Sequence, residues 1–175
     1  MRGLTMHPAY TIARITPGQV DAAYLLAGPL APALDLERWR SYCGQMLSGK
    51  GVTADQHDIA VAVNPLGYVQ GLCIHGLARH VVHGTILDVP IFAVASAADG
   101  IGVAAALLQH LCTVAGRLDC AAIRIRTGGA EPWQRQLEDH TLTDGQIRIP
   151  VILNAAYALD VPWAGYQGAD LPVKT

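Results

Sequence analysis

Charge is scarce in this chain. Asp, Glu, Lys and Arg make up 15% of its 175 residues, against about 25% in an ordinary globular domain. The formal net charge is −2 and the basic residues are scattered, so there is no cationic stripe of the kind that holds a nucleic-acid backbone. Cysteine is also thin: Cys43, Cys73, Cys112 and Cys120 contain no Cys-x-x-Cys pair, which argues against a disulfide scaffold or a structural zinc site. No apolar run reaches membrane-spanning length, and the first residues, although they include Arg2, lack the continuous apolar core of a signal peptide. The expected compartment is the cytoplasm, with no membrane and no nucleic acid among the partners. Internal repeats and low-complexity linkers are missing too, so residues 1–175 read as a single domain. That length buries about two thirds of the unfolded chain's surface.

What is abundant is apolar: 51% of the residues are hydrophobic and the mean hydropathy is +0.29. With few charges to cover it, a monomer would expose unusual apolar area. A homodimer is therefore expected.

The pattern from Tyr10 to Ile15 predicts a first strand. Thr16, Pro17 and Gln19 form a capping box with proline at the first helical position, predicting a helix from Pro17 to about Ala27. Asp35 caps a second helix whose apolar face is Leu36, Trp39, Cys43, Met46 and Leu47. Alternation over Ile59, Val61 and Val63, a turn at Asn64 to Gly67, and a strand from Tyr68 to His75 make a hairpin. A second hairpin turns between Arg79 and Gly84 into a long strand from Thr85 to about Ala95. Pro90 inside that strand has no N–H for a ladder bond, so it marks an edge or a bulge.

The stretch from Val94 to Val103 then passes through Asp99, Gly100 and Gly102 into an amphipathic helix of about four turns. Its buried stripe is Ala104, Leu107, Leu108, Leu111, Ala115 and Leu118. A short strand follows from Cys120 to Arg126, with Ile123 and Ile125 on one face and Arg124 and Arg126 on the other. Strand, glycine turn, helix and strand is a βαβ unit, which makes its two strands parallel. Gly100 and Gly102 lie where a helix begins, so backbone N–H groups and the positive end of the helix dipole could face an anion. The predicted fold class is thus α/β of the α+β kind: a mixed, mostly antiparallel sheet of about six or seven strands, flanked by helices, with one parallel βαβ crossover.

This order, with Gly100 and Gly102 between the fourth strand and the third helix, resembles the GCN5-related N-acetyltransferases (GNAT). That family's signature there is Arg or Gln, two residues, Gly, any residue, then Gly or Ala. The chain departs from it at Ala97, which stands where Arg or Gln is preferred, at Val94, which replaces a frequent proline, and at Asp99, which adds a negative charge. The resemblance implies acetyl-CoA, or another acyl-CoA, as cofactor. It puts the pyrophosphate on the backbone of Ala98, Gly100, Ile101, Gly102 and Val103, and the thioester arm beside Val94 and Phe92, whose N–H polarises the carbonyl. It further implies direct acetyl transfer to an amine on a small molecule or a protein. Asp88, a lone carboxylate in an apolar strand, is the candidate general base, its alternative being a carboxylate satisfied by an arginine or a backbone N–H. Tyr157 is the candidate acid, because the tyrosine the family carries after the fifth strand is missing from the helix predicted at Glu131 to Asp139. Arg124 and Arg126 are candidates for a phosphate contact or for salt bridges. His75, His80 and His83 lie close in sequence without the spacing of a zinc site, and no metal is expected. The other function these departures leave open is a catalytically inactive relative, serving as an acyl-CoA-binding or oligomeric assembly module.

Overall fold

The computed structural model describes residues 10–49, 57–95, 99–127, 143–144 and 147–155. Strand β1 (Thr11–Arg14) leads through a short 3-10 turn at Pro17–Gln19 into α1 (Val20–Ala27). The Gln19 side chain accepts from the Thr16 N–H at 3.0 Å, the reciprocal half of the predicted capping box. Helix α2 (Leu36–Ser48) begins at Asp35, whose carboxylate accepts the Arg38 N–H, and ends at Gly49 in the left-handed region, φ 63°. Strands β2 (Asp58–Val63), β3 (Val69–His80) and β4 (Gly84–Val94) form the two hairpins. Then follow α3 (Gly100–Arg117), β5 (Ala122–Thr127), β6 (Thr143–Asp144), β7 (Ile147–Arg148) and β8 (Val151–Ala155).

The main sheet runs β1-β2-β3-β4-β5-β8. Its first three pairings are antiparallel and β4 is parallel to β5, as two hairpins followed by a βαβ unit require. A second parallel pair, β5 with β8, adds to this arrangement. The chain changes partners near Pro150: β7 pairs with β6 in a separate two-stranded ribbon, and only β8 joins the main sheet. Proline cannot donate to a ladder, and here the Pro150 carbonyl instead accepts the Ile123 N–H at 3.0 Å. The helix predicted at Glu131 to Asp139 and Tyr157 lie outside the described residues.

Helices cover both faces. Ala60, Ala62, Cys73, Leu87, Val89, Phe92, Ile123 and Ile125 pack against the apolar stripe of α3. Ile59, Val61, Leu72, Ile74, Ile91 and Ala93 pack against α1 and α2. Trp39 anchors α2 to α1 by donating its ring N–H to the Val20 carbonyl at 2.7 Å from a fully buried position. Gly71 lets α3 sit close on β3, since a Cβ there would come within 2.5 Å of Val103 Cγ1 and 2.9 Å of Leu107 Cδ1. All four cysteines are buried, in keeping with their reading as small apolar residues, and burial pushes the Cys43 and Cys73 thiols up to about 12.

Candidate functional site

Two irregularities in β4 build the site. Between the Ile74↔Ile91 and Gly76↔Asp88 pairs, β3 has one residue, His75, and β4 has two, Val89 and Pro90. Pro90 therefore sits in a bulge of an interior strand, not on an edge. The extra residue also shifts the strand's alternation. Leu87 and Val89 face α3 before the bulge, Phe92 faces it after, and a regular strand would have turned Phe92 to the other side.

Pairing of β4 with β5 stops at Val89↔Ile125, whereas β5 stays paired with β8 as far as Thr127. The last residues of β4 thus part from β5 and leave a slot between them. The bond from the Ala95 N–H to the Gln70 carbonyl, 2.8 Å, sets the phase of the β3–β4 ladder. In that phase Ile91, Ala93 and Ala95 direct their backbone groups toward β3, while Phe92 and Val94 direct theirs toward the slot.

The slot leads to the amino end of α3. There Asp99 is the cap: its Oδ1 accepts the Gly102 N–H at 2.9 Å, and its carbonyl accepts the Val103 N–H at 3.1 Å. Oδ2 accepts from the Tyr10 hydroxyl at 3.1 Å. A Cβ at Gly102 would collide with the Asp99 carboxylate, whereas one at Gly100 would meet nothing closer than Val94 Cγ1 at 3.7 Å. The local need for glycine at 102 thus comes from the chain's own carboxylate, an anion already seated on an amide at the helix's positive end. Burial, then the neighbouring Asp99 carboxylate, push the Tyr10 phenol above its ordinary value. Ala97 and Ala98 lie outside the described residues.

On the opposite face of the sheet, Asp88 is clamped by both arginines of β5. Arg124 Nε donates to Oδ1 at 2.7 Å, and Arg126 Nη2 stands 3.5 Å from Oδ2. The parallel register puts Arg124 directly beside Asp88. All three side chains are largely buried, at 11% exposure for Asp88 and 16–20% for the arginines. The arginine-paired alternative for Asp88 is therefore present, and the phosphate contact considered for Arg124 is replaced by this ion pair. A sequence reading missed His57: a Cβ at Gly76, the residue paired with Asp88, would lie 2.8 Å from the His57 ring, so that imidazole covers the strand next to the carboxylate.

Of the three histidines close in sequence, His80 and His83 bring their rings to 4.9 Å centroid to centroid, whereas His75 lies apart from them beside His110. His80 Nδ1 accepts the Val82 and His83 N–H groups and shapes the hairpin turn. His75 is buried on the α3 face, 5.8 Å centroid to centroid from His110. It lines a cleft of about 260 Å³ with Asp58, Leu77, Leu87, Val114, Arg117 and Leu118. Burial holds His75 down to about 4, only partly offset by Asp58. Among the described residues, no group of three or more His, Cys, Asp or Glu could hold a metal ion.

No protein-family model matches the chain, and no curated protein matches it in sequence. Its three-dimensional form does match known structures. A crystal structure of a probable acetyltransferase superimposes with a TM-score of 0.59 at 17% identity, over 94% of this chain and 99% of that one. AAC(6')-Iy, solved in complex with the bisubstrate analogue CoA-S-monomethyl-acetylneamine, gives 0.58 at 14% identity, over 74% and 87% of the two chains. A transcriptional regulator from Bacillus halodurans C-125 gives 0.56 at 17% identity, over 79% and 97%. At such identities the likeness is one of fold: the chain has the fold of the GCN5-related N-acetyltransferases.

Proposed function

We propose that this GNAT-fold chain is an acyl-CoA-dependent N-acetyltransferase acting on a small-molecule or protein amine. The observation that carries the reading is the parting of β4 from β5 after the Pro90 bulge, at the end of the sheet where β4 runs toward α3. A slot between strands that meets a helix amino terminus suits a long thioester arm ending in phosphates. The turn leaves room beside Gly100, where a Cβ would have only Val94 near it, while the space at Gly102 is taken by a side chain of the turn itself. That side chain is the Asp99 carboxylate.

Acetyl-CoA would supply the reactive acyl carbon as a thioester. The backbone of Val94, Gly100, Ile101, Gly102 and Val103, together with Ala98, would hold it. The Phe92 N–H, on the slot side of the ladder, would donate to the oxygen that gains charge, where a fixed dipole lowers the barrier without reorganising. Asp88 would accept the proton lost by the amine nitrogen, with Arg124 and Arg126 fixing the carboxylate's orientation. Tyr157 is the proposed donor of a proton to the departing sulfur. A homodimer, on the low charge and high hydropathy of the chain, and a cytoplasmic setting complete the proposal. No helix among the described residues is long and apolar enough to cross a membrane.

A second reading, an inactive acyl-CoA-binding or assembly module, is favoured by one feature: the carboxylate proposed as base already engages two guanidinium groups. Calorimetry with acetyl-CoA and free CoA, followed by detection of thiol released in the presence of a panel of amines, separates the two. Binding with amine-dependent release supports the enzyme. Binding without release supports the module, and no heat at millimolar acetyl-CoA counts against both acyl-CoA readings.

A further inference from the structure

We propose that Asp99 is an intramolecular competitor for the coenzyme's diphosphate, latched over the amino end of α3 by Tyr10, so that the donor is held by its thioester arm and its diphosphate contributes little until the latch opens. The inference rests on the acyl-CoA reading above.

The first ground is occupancy. One Asp99 oxygen takes the Gly102 N–H at 2.9 Å, an amide that an anion at this turn would need. The collision a Cβ at Gly102 would suffer is with the same carboxylate, so the space freed by that glycine is already filled by negative charge. The second ground is retention. The other oxygen accepts from Tyr10, a residue 89 positions away that packs against the α3-side core. A carboxylate serving only as a cap needs one oxygen. Here both are used, which fixes the side chain over the helix end instead of leaving it free to swing into solvent. The third ground is electrostatic. A carboxylate and a diphosphate cannot share one helix terminus without repulsion, and at an exposed site that repulsion is strongest at low salt.

Acetyl-CoA and S-acetylpantetheine carry the same thioester arm, and only the first has a diphosphate. Calorimetric titration of both at low salt reads the latch without depending on turnover. The wild-type protein is expected to bind the two within about threefold of each other. Asp99→Ser keeps a neutral cap and is expected to tighten acetyl-CoA about tenfold while leaving S-acetylpantetheine unchanged. That gain should shrink in about 0.5 M salt. Tyr10→Phe, which keeps the packed ring and frees one carboxylate oxygen, should give a smaller gain in the same direction. Melting curves of the ligand-free variants verify that each is folded. If the wild type prefers acetyl-CoA to S-acetylpantetheine by tenfold or more and Asp99→Ser adds nothing, the latch is wrong and the acyl-CoA reading stands. If neither protein binds either ligand, both fall together.

Discussion

Acid should unfold this protein partly through one side chain. His75 is 7% exposed, packed beside His110 and lying opposite Asp58 in the β2–β3 register. Burial favours its neutral form, and His110, His57 and Arg117 push the same way, while Asp58 opposes them. In the unfolded chain the imidazole takes up a proton near its ordinary 6.5, but in the folded chain only near 4. The stabilisation is therefore fully present above about pH 6.5, declines as pH falls, and is gone by about pH 4. At about 1.4 kcal/mol for each pKa unit, the whole effect is on the order of 3 kcal/mol, with roughly 2 kcal/mol already lost at pH 5. Urea titrations at pH 7.5 and 5.0 measure it. His75→Leu and His75→Gln cannot titrate and should each lose about 2 kcal/mol less than wild type between those two conditions, whatever their stability at pH 7.5. An identical pH response in wild type and both variants would refute the reasoning, because it would mean that the His75 proton equilibrium does not change on folding.

Asp88→Ala should leave the largely buried Arg124 guanidinium without the carboxylate it donates to and cost about 3 kcal/mol in urea unfolding, whereas a carboxylate with only a catalytic role would lower turnover and leave stability unmoved. Gly71→Ala puts a methyl group against Val103 and Leu107 and should destabilise by roughly 1–3 kcal/mol, visible as a lower melting temperature. Trp39→Phe removes the donor that the Val20 carbonyl accepts inside the core and should cost about 1–3 kcal/mol, again read in urea. Because all four cysteines are buried, a thiol reagent should label the native protein slowly and label all four promptly in denaturant.

The element order was legible in the sequence because each signal is local. Thr16, Pro17 and Gln19 start one helical segment and Asp35 starts another, through bonds that span three or four residues. The alternation in β2 and β5 and the stripe of α3 likewise follow from the geometry of a single element. Pro90 announced a disturbance in β4 for the same reason: a missing N–H is a property of one residue. Asp99 caps α3 by the same kind of short-range bond, its carboxylate accepting the N–H three residues on.

The contents of the site were another matter. That Pro90 makes a bulge rather than an edge depended on β5 lying on the far side of β4, a pairing decided by the α3 crossover. The ion pair of Asp88 with Arg124 joins residues 36 positions apart, and the parallel register brought them level. His57 over Gly76 and His75 beside His110 arise because strands distant in sequence stack side by side and one helix lies across them. Tyr10 and Asp99 meet across 89 residues, and nothing near either one in the chain hints at the other. Local sequence determines backbone conformation because its causes act within a few bonds. Which charges neutralise one another, and which groups lose their water, is decided only when the sheet closes and distant strands become neighbours.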